Sequence, residues 1–352
     1  MLARLSGAAA LAALLCWLLP AWPADAQTDD GQGLDVRRLS PEQRRRLLAG
    51  DTISYHVTET GETELGAGVA MYLPVPLARV TEALTSPDIV LKEPSITAWE
   101  ALGPGVTVGA LAGYKLAAGE VAESQDAFDA APGGRLNLAA TEIEAFRGAR
   151  PARGADRAAV AESGAAQWRA LLLLRTQAFL ARGLDGMAPY ARRGGASDPA
   201  AVLRVAAGDA RIIAHLMPRL AEALLRFPAE QSATAISQLY WVKRQVQGRP
   251  DPILIHHLVD VTPQLALYVE RHVYVGHSYN ASQILSGAVP YEDGVLVFSS
   301  NRVSTDQVAG LGGEMKRIIG RRQLRGEIVK RFDRIRAALV KPAAPPERTE
   351  SP

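Results

Sequence analysis

The feature that most constrains this fold is a run of five β-rich segments, joined by very short connections, in the last third of the chain. β-Branched and aromatic residues dominate segments 239–246, 253–261, 265–275, 283–289 and 295–300. Parallel neighbours would need a crossover of about a dozen residues, which these connections cannot provide. The sequence therefore predicts an antiparallel meander of about five strands.

An amphipathic helix is predicted to follow the meander, over residues 304–339. Its apolar residues recur at helical spacing: Val308, Leu311, Met315, Ile318, Ile319, Ile328, Phe332, Ile335 and Leu339. Residues 301–341 contain eleven Arg or Lys and four Asp or Glu, which form a solvated face or, alternatively, a surface for anionic lipid or a partner. Because the apolar stripe must be buried, we expect the helix to pack on the sheet.

The first part of the chain predicts a helix, two strands and a second helix. Residues 40–43, Ser-Pro-Glu-Gln, have the capping chemistry of a helix start, and this helix should end at Gly50. Segments 53–57 and 66–73 are typical of strands, whereas 76–84 has helical spacing.

Residues 136–227 change in character to alanine-rich helix. Two apolar stripes are present: Val160, Trp168, Leu171, Leu172, Phe179 and Leu180, then Ile212, Ile213, Leu216, Leu220, Leu224 and Phe227. Pro218 is expected to kink the second helix, and residues 190–199 between the stripes are predicted to be a loop.

The order of strand, proline-marked helix, antiparallel meander and long last helix resembles the START-like (SRPBCC, helix-grip) superfamily. Residues 66–84 look like its opening and 239–339 like its sheet and gripping helix. The resemblance implies an α+β fold in which an antiparallel sheet curves around the C-terminal helix and leaves a cavity for a lipid or another apolar ligand. Segment 297–310 also resembles uncharacterised exported bacterial proteins.

The predicted organisation has six parts. They are a signal peptide (1–26), a disordered leader (27–39), the N-terminal part of the START-like domain (40–135), a large helical insertion (136–230), the sheet with the last helix (231–340) and a disordered tail (341–352).

The first residues have the three parts of a secretory signal peptide. Arg4 precedes an apolar run, residues 8–19, that is too short to span a bilayer. Residues 24–26, Ala-Asp-Ala, have the small-x-small pattern of a cleavage site. We therefore predict cleavage after Ala26 and a periplasmic or secreted bacterial protein.

Composition excludes several classes for the predicted mature chain. Cys16, the one cysteine, lies inside the signal peptide, so disulfides cannot contribute and the hydrophobic core must suffice. A formal net charge of +2 predicts no nucleic-acid partner. No second apolar run is long enough for a membrane span, so the mature protein should not be transmembrane.

One segment resembles a hydrolase nucleophile elbow, namely residues 276–280, Gly-His-Ser-Tyr-Asn. Asn280 stands where that motif needs its second glycine, and no histidine follows His277 to complete the usual order of serine, acid and histidine. We therefore expect a hairpin turn here, and a serine hydrolase using Ser278 is the last of three functional hypotheses.

Metal and cofactor sites also have little support in the sequence. Histidines 256, 257, 272 and 277 come without paired cysteines, clustered carboxylates or an HExxH motif. Adjacent strand histidines also point to opposite faces. We predict no metal and no cofactor. Because no catalytic motif is complete either, we predict no catalytic residue.

Arg271 interrupts an apolar face of its predicted strand and is the main candidate for contacting a ligand. A buried guanidinium must meet either a carboxylate of the protein or an anionic head group. The predicted ligand-binding set is Arg271, His257, Val273, Val269, Trp241 and Phe298, although the aromatic residues also suit an ordinary core. The opposite face, with Tyr268, Glu270, His272 and Tyr274, is the alternative cavity wall.

Three functions stay open at this point. The first is an exported, non-enzymatic protein that binds a lipid or another apolar small molecule. The second is a cell-envelope scaffold or interaction protein with a solid core, whose inserted helices contact a partner. The third is the serine hydrolase.

Overall fold

A computed structural model describes residues 34, 36–86, 93–229, 235–310 and 312–340 of the chain. The predicted signal peptide (1–26) and tail (341–352) lie outside these residues. Leu34 and Leu39 belong to the predicted disordered leader, yet both are buried in the core cluster beside Ile53. The end of the leader is therefore part of the folded domain.

The described residues form a mixed α+β fold around an eight-stranded antiparallel sheet. The strands of this sheet are β1 (Thr52–Tyr55), β2 (Glu64–Leu73), β3 (Ile96–Leu102), β6 (Ile236–Val246), β7 (Arg249–Thr262), β8 (Leu265–Val275), β9 (Ala281–Tyr291) and β10 (Gly294–Ser304). They lie in the order β1-β2-β10-β9-β8-β7-β6-β3. The predicted five-strand meander is confirmed as β6 to β10.

The helices are distributed on both sides of this sheet. They are α1 (Pro41–Leu48), α2 (Leu77–Thr85), α3 (Val121–Phe128), α4 (Ala140–Gly148), α5 (Arg157–Arg182), α6 (Pro199–Asp209), α7 (Arg211–Leu216), α8 (Pro218–Arg226) and α9 (Gly313–Leu339). The predicted capping box at Ser40 is present, since the backbone N–H of Gln43 donates to the Ser40 hydroxyl at 3.1 Å. Pro218 separates α7 from α8, as the sequence indicates.

Two predicted connections differ from the structure. The turn predicted at 247–252 has only two residues, Gln247 and Gly248, both with positive φ, and β7 begins at Arg249. Pro250 and Pro252 fit in β7 because β8 pairs with it only from Ile253 onward.

The loop predicted at 190–199 contains a short hairpin instead, made by β4 (Tyr190–Arg192) and β5 (Gly195–Ser197). Gly194 takes the positive φ that this tight turn requires.

The last helix begins at Gly313, nine residues later than predicted. Strand β10 continues to Ser304, which pairs with Glu64 of β2 and Ala281 of β9. The end of β10 has apolar spacing that also suits a helix. It stays a strand because neighbouring strands hydrogen-bond to it on both sides. Val308 lies in a short 3₁₀ turn before α9, and Leu311 falls outside the described residues.

The second half of α9 packs on one face of the sheet together with α2. Ile328, Phe332 and Ile335 are buried there against Val69 and Val297. The first half differs from the predicted continuous buried stripe: Met315, Ile318 and Ile319 are 63%, 51% and 50% exposed.

The opposite face of the sheet is covered by the helices of the predicted insertion. Leu203 of α6 and Leu224 of α8 are buried, as are Trp168 and Leu172 of α5. The sheet is thus a middle layer, with α9 on one side and α5 to α8 on the other.

Candidate functional site

A cavity of about 320 Å³ lies between the sheet and α9. Its apolar lining includes Val242, Ile255, Ile284, Val303, Leu324 and Ile328. Small side chains on the sheet leave this space, because Ser282 and Ser299 face it where larger residues would fill it. Their hydroxyls are satisfied within the sheet, Ser282 by Asn301 at 2.9 Å and Ser299 by Ser286 at 2.9 Å.

Two contacts hold α9 over this cavity. Gly320 crosses β2 so closely that a Cβ at this position would lie 2.6 Å from Cδ1 of Leu65. Further along the helix, Phe332 is 1% exposed and packs in the core. The cavity lies between Gly320 and Phe332, so these two contacts fix the position of the helix that keeps the space open.

A wider groove of about 900 Å³ adjoins the cavity at the first half of α9. The groove and the cavity have six lining residues in common, namely Leu65, Val246, Tyr279, Val303, Gly320 and Gln323. Five basic side chains line the groove: Arg135, Arg192, Arg193, Arg249 and Lys316. Asp306 is the acidic one in its lining. The groove is the opening of the cavity, and its lining keeps an excess of basic residues although Arg192 is paired with Asp306 at 2.9 Å and Arg249 with Glu123 at 2.7 Å.

The inner wall of the cavity carries a buried ionic cluster centred on Glu270 of β8. One Glu270 oxygen accepts hydrogen bonds from Arg331 of α9 at 2.8 Å and from the Tyr268 hydroxyl at 2.7 Å. The other lies 2.7 Å from Nε2 of His272, whose Nδ1 lies 2.6 Å from the Tyr279 hydroxyl. Glu270 is 5% exposed, so this network of buried hydrogen bonds fixes α9 to the sheet.

The cluster sets the ionisation of its members. Burial alone would raise the pKa of Glu270, but Arg331 and the hydrogen bonds from His257 and His272 hold that pKa well below its usual value. Burial also lowers the pKa of His257, against the opposing effect of Glu270. The carboxylate is thus the charged partner of Arg331 at neutral pH.

We expect this cluster to make stability depend on acid pH. The pKa of Glu270 is lower in the folded protein than the ordinary 4.5, so its stabilisation is complete above that value and disappears as the pH falls below it. Glu270→Gln should therefore lower the free energy of unfolding by about 2 kcal/mol at pH 7. The difference from the parent should shrink at pH 3.5, as measured by urea denaturation.

Glu327→Gln is the matched control, because Glu327 is 61% exposed and pairs with Lys330 one turn along the same helix. It should change stability little at either pH. An equal loss for Glu270→Gln at both pH values would contradict the assigned ionisation.

None of the six residues predicted to bind a ligand lines this cavity. Val269 and Phe298 pack against the inserted helices α6 to α8, and Trp241 and Val273 lie in the cluster formed with α5. All four are at most 2% exposed. They form the core between the sheet and the insertion, on the face opposite the cavity.

His257 and Arg271, both in the predicted ligand-binding set, lie on opposite faces of the sheet. Arg271 is paired with His256, and His257 is paired with Glu270, whose face it shares. The register of β7 and β8 shifts at Leu254 and Ile255, where a bulge interrupts the ladder. Alternation along one strand could not show which histidine lies opposite the arginine.

Two of the four residues of the alternative wall line the cavity. Glu270 and His272 line the cavity, and Tyr268 lies behind them in the ionic cluster. Tyr274 lies beyond the bulge and points to the other face, where the Arg175 guanidinium stacks 4.3 Å from its ring centre.

Arg271 is fully buried against the insertion, with 0% exposure. It donates to the carbonyl oxygen of Leu224 and, at 2.9 Å, approaches Nδ1 of His256. Within the described part of the chain, no carboxylate pairs with it. A carboxylate partner for Arg271 is therefore not found among these residues.

Arg331, Tyr279 and Gln323 also line the cavity, although they are not among the residues predicted to bind a ligand. A signal for Arg331 existed, since it lies three positions after Ile328 and four before Ile335, inside the buried stripe of the helix. A charged residue at such a position needs a buried partner, which Glu270 provides.

Ser278 lies in the lining of the groove beside His277, and the buried Asp251 contacts the backbone of both. The sequence had argued against a catalytic role because no histidine follows His277 and Asn280 replaces the second glycine of the hydrolase motif.

The described residues contain no group of three or more metal-binding side chains with suitable geometry, and no helix among them is long and apolar enough to cross a membrane. Comparison of the chain with known protein families, with characterised proteins and with solved structures gives no match.

Proposed function

We propose that this chain is an exported protein that binds an amphipathic small molecule between its sheet and its last helix. The observation that carries the proposal is the cavity of about 320 Å³ under α9, which opens into a positively charged groove. Its volume lies within the range of about 300–1,000 Å³ that is typical of small-molecule sites.

The element order supports this proposal. Strand β2, helix α2, the meander and α9 follow each other as in the START-like helix-grip fold that the sequence resembles. The first of these strands, β2, pairs with the last, β10, so α9 leaves the sheet beside the strand that opens the fold. Helices α4 to α8 interrupt this order as an insertion between β3 and β6.

The lining indicates the chemistry of the ligand. Apolar side chains such as Ile284 and Ile255 suit an acyl chain or ring system. The polar groups inside the cavity are already paired, as Glu270 is with Arg331, and so do not require a ligand. The excess of basic residues at the opening favours an acidic head group, carboxylate or phosphate, at the end of an apolar body.

The direct test is mass spectrometry of the protein extracted from its native cell envelope under non-denaturing conditions. We expect one class of acidic amphiphile to accompany the folded protein in near-stoichiometric amount. Titration of delipidated protein with cis-parinaric acid, a fluorescent fatty acid, should then show saturable binding. The absence of both results would contradict the proposal.

Filling the cavity should abolish binding without unfolding the protein. Ile284 is on the central strand β9 and lines the cavity, so Ile284→Trp should occupy the space of the ligand. We expect the affinity for cis-parinaric acid to fall about tenfold or more, equivalent to about 1.4 kcal/mol. Fluorescence titration measures this loss.

Arg322→Trp is the control, because it adds the same side chain at an exposed position of α9 that does not line the cavity. It should bind like the parent. Equal binding by Ile284→Trp, in a protein with an unchanged thermal midpoint, would place the ligand elsewhere.

A further inference from the structure

The groove contains a serine and a histidine whose side chains contact each other directly. The Ser278 hydroxyl lies 2.9 Å from Nδ1 of His277, and both residues line the groove. Neighbouring residues of a chain seldom meet in this way within a regular strand, since their side chains point apart. Here the meeting is possible because both lie in the turn between β8 and β9.

The hydrogen-bond partners of His277 determine which of its nitrogens can act as a base. Nε2 lies 3.2 Å from the carbonyl oxygen of Pro250, which can only accept a hydrogen bond. The neutral ring therefore carries its proton on Nε2 and leaves Nδ1 unprotonated. Nδ1 can then accept the hydroxyl proton of Ser278, as a base does from its nucleophile.

Asp251 holds the turn that carries His277 and Ser278. Its carboxylate is 0% exposed and accepts the backbone N–H groups of His277 at 3.1 Å and of Ser278 at 3.2 Å. One of its oxygens also lies 3.7 Å from Nδ1 of His277. Burial raises the pKa of Asp251, while His277 and the N–H donors oppose that rise. A positive charge on the imidazole would therefore form next to a carboxylate that already holds the turn.

Gly276 is required for this geometry. A Cβ at this position would lie 2.7 Å from Oδ1 of Asp251 and 2.6 Å from Cδ of Pro252. A larger residue would push the turn away from the carboxylate. The glycine therefore serves the approach of Asp251, although the second glycine of the hydrolase motif is missing.

We propose that Ser278 and His277 form a nucleophile–base pair that hydrolyses carboxylic esters at the opening of the cavity. The proposal goes beyond ligand binding and does not require that the cavity holds a ligand. Arg193 and Lys316 line the same groove, and their positive charge favours the negative charge that develops on the attacked carbonyl oxygen.

The reaction has two balanced steps. In the first, Oγ of Ser278 forms a bond to the acyl carbon as its proton passes to Nδ1 of His277. The bond to the alcohol oxygen then breaks, and the same proton leaves with the alcohol. In the second, His277 takes a proton from water, the resulting hydroxide displaces Oγ from the acyl carbon, and the proton returns to Ser278.

A second serine and histidine pair in this protein provides the matched control. The Ser237 hydroxyl lies 2.9 Å from Nε2 of His256, but Nδ1 of that ring faces the Arg271 guanidinium, which can only donate. Nδ1 of His256 must therefore accept, and Nε2 carries the proton. This ring has no free lone pair for Ser237, so the pair cannot activate its serine.

The test uses the full folded protein with two reagents, a fluorophosphonate probe and p-nitrophenyl acetate. The short acetyl group makes the result independent of binding in the cavity. We expect the probe to modify Ser278, as located by peptide mass spectrometry, and Ser278→Ala to lose both labelling and ester hydrolysis. His277→Gln should lower both rates about 100-fold or more. Ser237→Ala should leave them unchanged.

Labelling that is no faster than in the urea-unfolded protein, or hydrolysis that persists in Ser278→Ala, would overturn the proposal. Thermal melts of each variant separate loss of chemistry from loss of fold. Should His277→Gln fail to fold, the comparison of the parent with Ser278→Ala and Ser237→Ala still decides the outcome.

Discussion

Arg302→Met should lower the free energy of unfolding by about 3–5 kcal/mol, because it breaks a buried ionic network. Arg302 of β10 is 2% exposed and donates to both carboxylate oxygens of Glu64, at 3.0 and 2.7 Å. It also donates to Asp209 of α6 at 2.8 Å and to Thr60 at 3.0 Å. The substitution would leave the buried carboxylate of Glu64 without its positive partner.

The measurement is the shift of the urea denaturation midpoint, and two further variants interpret it. Arg45→Met removes an arginine that is 75% exposed and should change stability little. Arg302→Met combined with Glu64→Met removes both buried charges and should recover much of the loss. A loss below about 1 kcal/mol for Arg302→Met alone would show that the network contributes little.

Arg271→Met should have the opposite effect and raise the free energy of unfolding by about 1–4 kcal/mol. Arg271 lies on the same face of the sheet as Arg302, but no carboxylate of the described residues compensates its charge. Its hydrogen bonds go to the Leu224 carbonyl and to His256, and Nε has no partner. Burial of this charge is costly, and methionine fills a similar space without that cost.

The pH dependence gives this prediction a second measurement. Burial lowers the pKa of Arg271 to about 9. Above this pH the unfolded chain keeps a proton that the folded protein loses, so the contribution of Arg271 makes stability rise with pH. The advantage of Arg271→Met over the parent should therefore shrink above about pH 9.

A loss of stability for Arg271→Met, like that for Arg302→Met, would contradict the prediction. It would mean that a negative group does meet Arg271, either a bound anion or a carboxylate outside the described residues. Mass spectrometry of the native protein would distinguish these two, since only the anion leaves on denaturation.

The candidate site could be predicted from the sequence only to the level of a region. The meander and the last helix followed from periodicity, so a space between them was a reasonable expectation. The side chains in that space were assigned to the wrong face, because the cavity lies with Glu270 and His272 rather than with Arg271. Alternation tells which residues share a face of one strand, but it does not tell which face a distant helix covers.

Ser278 illustrates the same limit. The order of residues along the chain argued against a catalytic role, since no histidine follows His277 to complete the order of serine, acid and histidine. Catalysis depends on distances between atoms. In this turn the side chains of His277 and Ser278 contact each other next to the buried carboxylate of Asp251.

By itself the sequence determined the features that depend on near neighbours. These include the capping box of α1, the antiparallel connections of β6 to β10 and the helical conformation of α9. Hydrogen bonds and apolar spacing within a few residues decide such features, so they can be predicted locally.

Only the tertiary structure decided the features that depend on distant partners. The bulge between β7 and β8 set which histidine faces Arg271, and β10 kept Ser304 because two strands pair with it. Arg302 and Glu64, 238 residues apart, meet only after the sheet closes. These outcomes depend on register and burial across the whole sheet, where a shift of one residue moves a side chain to the opposite face.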